Sequence, residues 1–416
     1  MNSEEKLQVK KNVLSMMDMA VDIEDRDVKD IIDRCIVSSD AMSTMGLNEK
    51  LEFKKELFNS LRRLDILSEL LEDDSITEIM INGYRDIFIE RNGRISKLVA
   101  QFESEERLAA IIQIIVSGCN RIVNEASPIV DARLSDGSRV NIVLPPIAIN
   151  GPTMTIRKFS KTPMTMDRLI ELGALSTEVA GFLRKLVVAG YNIMISGGTG
   201  SGKTTFLNGL SAYIPEDERV ITIEDSAELK LINLPDLVSL EARNANVEGR
   251  NQVTIRDLIK CSLRMRPSRI VVGEIRDAAA CDMLTAMNTG HDGSLSTAHA
   301  NSCEDMLIRL ETMVLMGMDM PLVAIKQQIA SAVDIIIHLG RLRDKSRKVL
   351  EICEVIGMEG ENIKLRKIYE FKEESCVDGH VVGELRKLND LYNTGKLMAA
   401  GVFDMRWALP EKWPTE

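Results

Sequence analysis

A chain of 416 residues with 45% apolar and 28% charged positions has the make-up of a folded protein with material for two or three domains. Its formal charge of −11 argues against a protein that coats nucleic acid, because such proteins carry basic stripes, although a locally basic pore stays open. Seven scattered cysteines without a C-x-x-C pair suit a reducing compartment and supply neither a disulfide framework nor a zinc ribbon, so buried free thiols are expected.

The N-terminus, MNSEEKLQVKKNV, has no apolar signal core, and nowhere does an uncharged apolar run approach the ~20 residues of a membrane span. A cytoplasmic chain is expected. Residues 1–60 read as helix, with Val9, Val13, Met16, Met17 and Ala20 near 3.6 spacing and a Ser/Met/Gly cluster at 38–46 dividing it. From 61 to 160 the pattern changes: SITEIMINGYRDIFIERNGRISKL alternates around Asn82-Gly83 and Asn92-Gly93, a helix follows from Glu105 to Cys119, and strand returns. This is an α+β domain. A linker is expected near 158–166, after which helices (177–189, 203–212, 254–263, 277–288, 303–316, 321–332) alternate with strands (192–196, 219–223, 269–273, 294–298, 333–339). Such alternation predicts an α/β domain with a largely parallel sheet, and KVLEICEVIGMEGENIKLRKIYEF adds a hairpin turning at Glu359-Gly360. The expected division is 1–58, 59–160, 166–345 and 346–416. The 22 methionines, against 4% aromatics, read as adaptable core filler.

Gly197 to Thr204, GGTGSGKT, fits G-x-x-x-x-G-K-[ST] between an expected strand and helix. Backbone N–H groups of Gly198, Thr199, Gly200, Ser201 and Gly202 are expected to curl around phosphates, with the helix N-terminus and Thr205 behind them. Lys203 is the point charge for the β and γ phosphates of ATP, and the Thr204 hydroxyl the Mg²⁺ ligand. In SRIVVGEIRD an apolar strand ends in Glu274, with Gly273 where a Walker B aspartate is usual. Glu274 is expected to polarise the attacking water. Glu224 and Asp225 end another strand at the same edge, and His291 and His299 lie in TGHDGSLSTAHANS, where phosphate sensing suits them better than metal binding.

In this order and spacing, the Walker A segment, TIEDSAEL, LRMRPSRIVVGEIRDAAA and TGHDGSLSTAHANS resemble the secretion ATPase superfamily, which powers type II and type IV secretion, type IV pili and archaella. Upstream, LLEDDSITEIMINGYRDIFIERNGRI and DARLSDGSRVNIVLPPIAINGPTMTIRKF are similar to the N-terminal domain of the CpaF (TadA-type) ATPases of the Tad/Flp pilus. The resemblance spans residues 60–375. It implies a RecA-like P-loop domain preceded by an α+β domain, a homohexamer, and nucleotide held between the two domains of a subunit. Arginines would reach the phosphates on closure. The matching positions are Arg133, Arg139 and Arg157, with Arg264 and Arg276 as further candidates. The partner implied is an inner-membrane platform protein, with the chain peripheral at the inner face of the cell membrane. The four-cysteine zinc module of many type II relatives is absent, and the long charged N-terminus favours the Tad/Flp branch. Two competing readings remain: a nucleic-acid translocase, disfavoured by acidic balance and few aromatics for stacking, and a nucleotide-gated scaffold with little turnover. No N-K-x-D motif supports a GTPase.

Overall fold

The computed structural model describes residues 3–17, 24–39, 45–91, 93–159, 164–231, 233–243, 245 and 250–402. The chain forms two compact units, Met1–Lys161 and Thr162–Glu416. Residues 160–163 of the linker expected near 158–166, and the tail beyond 402, lie outside the described residues.

In the first unit, α1 (Ser3–Met16), α2 (Asp25–Val37) and α3 (Leu47–Arg62) bury a small core of their own around Val13, Ile32, Phe53 and Leu57. After α4 (Ile66–Glu72) come β1 (Ile76–Asn82), β2 (Asp86–Arg91), β3 (Arg94–Lys97), α5 (Glu105–Gly118), β4 (Ile129–Arg133), β5 (Arg139–Val143) and β6 (Thr153–Arg157). The six strands form one antiparallel sheet, ordered β3-β2-β1-β6-β5-β4. Alternate residues Ile79, Ile81, Val140, Ile142, Met154 and Ile156 are buried against Leu108, Ile111, Ile112 and Ile115 of α5. That period of two is what a sheet covered on one face demands.

The second unit opens with α6 (Met166–Glu171) and α7 (Thr177–Val188), then β7 (Ile193–Gly197), α8 (Lys203–Ser211), β8 (Val220–Glu224), β9 (Leu237–Glu241), α9 (Ile255–Ser262), β10 (Arg269–Val272), α10 (Ala279–Asn288), β11 (Leu295–Ala298), α11 (Cys303–Leu315) and α12 (Leu322–Ala332). It closes with β12 (Ile335–Arg341), β13 (Arg347–Glu359), β14 (Asn362–Val377), β15 (His380–Lys387) and α13 (Gly395–Ala399). One nine-stranded sheet runs β15-β14-β13-β12-β7-β11-β10-β8-β9. Pairing is parallel from β9 to β12 and antiparallel from β12 to β15. The hairpin expected after residue 346 is thus part of the same sheet, a mixed one.

Both faces of this sheet are covered. Ile193, Ile195, Ile335 and Ile337 pack with Leu183, Leu186, Phe206 and Leu207, while Met194, Ile223, Val272 and Ile336 pack with Met283, Met306, Leu310 and Ile325. Buried on both sides, the strands read as continuous apolar runs. Methionines do fill the second core, as their number suggested: Met194, Met283, Met287, Met306 and Met313 are all buried there. The cysteines are free, but only Cys35, Cys281, Cys303 and Cys353 are buried, and Cys261 and Cys376 are exposed.

Candidate nucleotide site

The phosphate-binding segment leaves the sheet at the carboxyl end of β7, a central strand, and enters α8 at Lys203. Ligands in open α/β sheets bind at that edge. The turn needs glycine at its first position, because a Cβ on Gly197 would stand 2.6 Å from the carbonyl oxygen of Leu339 on β12.

Lys203 is buried, and its ammonium donates to the Gly197 and Gly198 carbonyls at 3.0 and 3.1 Å. It also lies 3.2 Å from His299 Nδ1. His299 Nε2 lies 3.0 Å from Glu274 Oε1, and Arg276 donates to Glu274 Oε2 at 2.8 Å. Arg276 in turn stands 3.6 Å from Asp225. The tautomer that suits both neighbours carries its proton on Nε2, leaving Nδ1 to accept from the lysine. Burial, then the charge of Lys203, holds His299 below its ordinary pKa against the opposing pull of Glu274, so the ring is neutral at pH 7. Glu274 Oε1 is close to the imidazole but not aligned for a hydrogen bond, and it is buried without a hydrogen-bonded partner, as is Ser201 Oγ in the loop. A buried carboxylate oxygen and a buried hydroxyl of this kind suit a water, a hydrated cation and a phosphate.

The structure therefore brings Lys203, His299 and Glu274 together, with Thr204 and Thr205 in the first turn of α8. Glu274 stands just beyond the tip of β10, as expected, and is also the partner of Arg276. Glu224 differs. Its carboxylate is buried and accepts the backbone N–H groups of Glu228 and Leu229 at 3.0 Å each, so it anchors the loop after β8. It also explains Gly273, where a Cβ would meet Glu224 Cγ at 2.9 Å. His291 contacts the Ala286 carbonyl at 3.2 Å, outside the cluster, and Arg264 is exposed after α9. In the first unit Arg133, Arg139 and Arg157 stand directly opposite one another on β4, β5 and β6, a cross-strand row continued by Glu78 on β1.

Two contacts had no sequence signal. Arg347, at the start of β13, donates to the Gly200 carbonyl at 2.8 Å. His338 on β12 meets Ser196 Oγ at 2.9 Å just ahead of the loop.

A family model described as "Type II/IV secretion system protein" matches residues 61–389. The chain belongs to this family. Among its curated relatives, a Mycobacterium tuberculosis protein named for conjugal transfer is 33% identical over 76% of this chain and 91% of its own length. Type IV secretion system protein VirB11 of Brucella suis is 32% identical over 66% of this chain and 84% of its own. The solved structure of the Yersinia pseudotuberculosis ATPase DotB superposes with a TM-score of 0.52 at 20% identity, covering 70% of this chain and 78% of that one. That likeness concerns the fold alone. No helix among the described residues is long and apolar enough to cross a membrane.

Proposed function

We propose that the chain is the ATP-hydrolysing motor of a type II/IV secretion or conjugation machine, and within that family the assembly motor of a Tad/Flp-type pilus. The observation that carries the reading is the linked set Lys203, His299 and Glu274 at the mouth of a phosphate loop in a secretion-family chain. The upstream similarity to CpaF-type chains supports the pilus branch.

In this reading the enzyme is an ATPase. Lys203 leaves its loop carbonyls for the β and γ phosphates, and the loop N–H groups hold the same oxygens. Glu274 Oε1 orients the attacking water, and Arg276 on the other oxygen keeps the carboxylate aimed. His299, neutral and between the two, reports whether the γ phosphate is present. Mg²⁺ would be held chiefly by the Thr204 hydroxyl, and it supplies charge neutralisation on the phosphates. The Arg133–Arg139–Arg157 row supplies further positive charge to the transition state in a homohexamer, which couples hydrolysis to ring geometry. The working division is a helical extension (1–58), an α+β domain (59–160), a catalytic domain (166–345) and a C-terminal extension (346–416). A membrane platform protein at the inner face would receive the motion.

The test is the hydrolysis rate per subunit against protein concentration, for wild type and Glu274→Gln, with molar mass from light scattering. A rate that climbs as hexamers appear and vanishes in the variant supports the motor. No turnover from a well-formed hexamer supplied with its platform partner leaves a scaffold. Stimulation by DNA would favour a nucleic-acid translocase.

A further inference from the structure

We propose that Cys303, Cys353 and Glu351 form a site for a soft divalent cation of the zinc type, separate from the nucleotide loop. The two thiol sulfurs and a Glu351 oxygen all lie within 4.8 Å of one another, the spacing of three corners of one coordination sphere. Both cysteines are buried in the core between the sheet and its helices, at 0% and 2% exposure. They come from different elements. Cys303 is the first residue of α11, capped by Ser302, whereas Glu351 and Cys353 stand two apart on β13 and so share the face that looks toward α11.

A pair of thiols alone would be ordinary core filling. What sets this cluster apart is the partly buried carboxylate that reaches it at the margin of an apolar core that includes Met306 and Ile336. Glu351 is held by Lys367 at 2.7 Å on Oε1 and by the backbone N–H of Cys303 at 3.2 Å on Oε2. Hydrogen bonds of that kind orient a ligating carboxylate while leaving it a lone pair. The charges also close. Two thiolates neutralise a dication, while the carboxylates of Glu351 and Glu370 are offset by Lys367, which reaches both, and by Lys372. Thiolates select a soft or borderline cation over Mg²⁺ or Ca²⁺. Three protein donors leave the fourth tetrahedral position to a water.

Such a site would bolt the first turn of α11, four residues beyond His299, onto β13. Cation binding would therefore brace the segment that carries the histidine facing Lys203 and Glu274. This inference does not depend on the pilus assignment or on turnover.

The experiment is a titration of the full, phosphine-reduced, chelator-treated chain with Co²⁺, followed by Zn²⁺. The expected result is one Co²⁺ per chain, with thiolate-to-cobalt charge transfer and intense tetrahedral d–d bands that Zn²⁺ displaces. Cys303→Ser and Cys353→Ser should each abolish the charge transfer, Glu351→Gln should weaken binding by about tenfold or more, and Cys261→Ser with Cys376→Ser should change nothing. Circular dichroism reports whether each variant folds. Where a serine variant does not, zinc-edge X-ray absorption of the wild type decides: two sulfur scatterers with oxygen support the site. Absence of the bands in the folded, reduced wild type would overturn it. So would bands that follow Cys261 and Cys376 instead.

Discussion

His299 sits between an ammonium and a carboxylate, and burial and Lys203 together prevail over Glu274 in setting its protonation. His338 is also held below its ordinary pKa, by burial, against the charges of Glu351 and Asp305. For both rings the unfolded chain takes up its proton at a higher pH than the folded chain. Between the lowered values and about 6.5, unfolding therefore binds protons, and stability rises with pH through that window and levels off above it. Thermal melts from about pH 5 to about 8 should show this rise, and His338→Gln should flatten part of it. An unchanged slope in that variant would remove His338 from the account. At Gly273 the constraint is steric. Gly273→Ala forces a methyl against the buried Glu224 side chain, so the variant should lose about 1–3 kcal/mol by urea denaturation and loosen the loop that Glu224 anchors at Glu228 and Leu229. The sequence marked Gly273 only as a missing aspartate, because the residue that fills its space lies 49 positions upstream.

At the scale of elements, strands buried on both faces were legible because apolar side chains dominate them: Ile193–Gly197, Val220–Glu224 and Arg269–Val272 are buried throughout. Two edge strands were not. Leu237–Glu241 is only half-buried and His380–Lys387 is mostly exposed, so neither has the apolar run that marks an inner strand, and both owe their conformation to pairing with a neighbour. The long hairpin was legible as a hairpin, but its membership in the large sheet rests on β12–β13 pairing that no local pattern announces. Helix starts were better marked, since Ser104, Ser176, Thr254 and Ser302 each cap the backbone N–H three residues on. Far from the nucleotide edge, β10 begins with Arg269, which is buried and forms a two-pronged ion pair with Glu218 while donating to the Val187 carbonyl. Arg269→Met should cost about 3–5 kcal/mol, because Glu218 and that carbonyl lose their partner together. Chemical denaturation followed by circular dichroism measures it. A loss under about 1 kcal/mol would show that the pair contributes little.

At the scale of the molecule, the second unit carries the phosphate loop with its carboxylate and histidine, and the first carries a row of three arginines. Like charges directly opposite one another on neighbouring strands repel. Arg139 lies in the middle of the row, flanked by Arg133 and Arg157, and Glu78 stands 3.9 Å beyond Arg157. Such a row bears on the stability of the sheet, and it would suit a surface that meets a polyphosphate. The two demands separate in one variant. Arg139→Gln removes the middle charge of the row, and a denaturant titration reads what that does to the stability of the first unit. If the row supplies charge to the transition state, the same variant should bind ATP with ordinary affinity yet hydrolyse it at least about 100-fold more slowly at concentrations where the chain assembles. Equal loss of stability and turnover would make Arg139 structural. A gain in stability with turnover intact would leave the row with some other anion to meet.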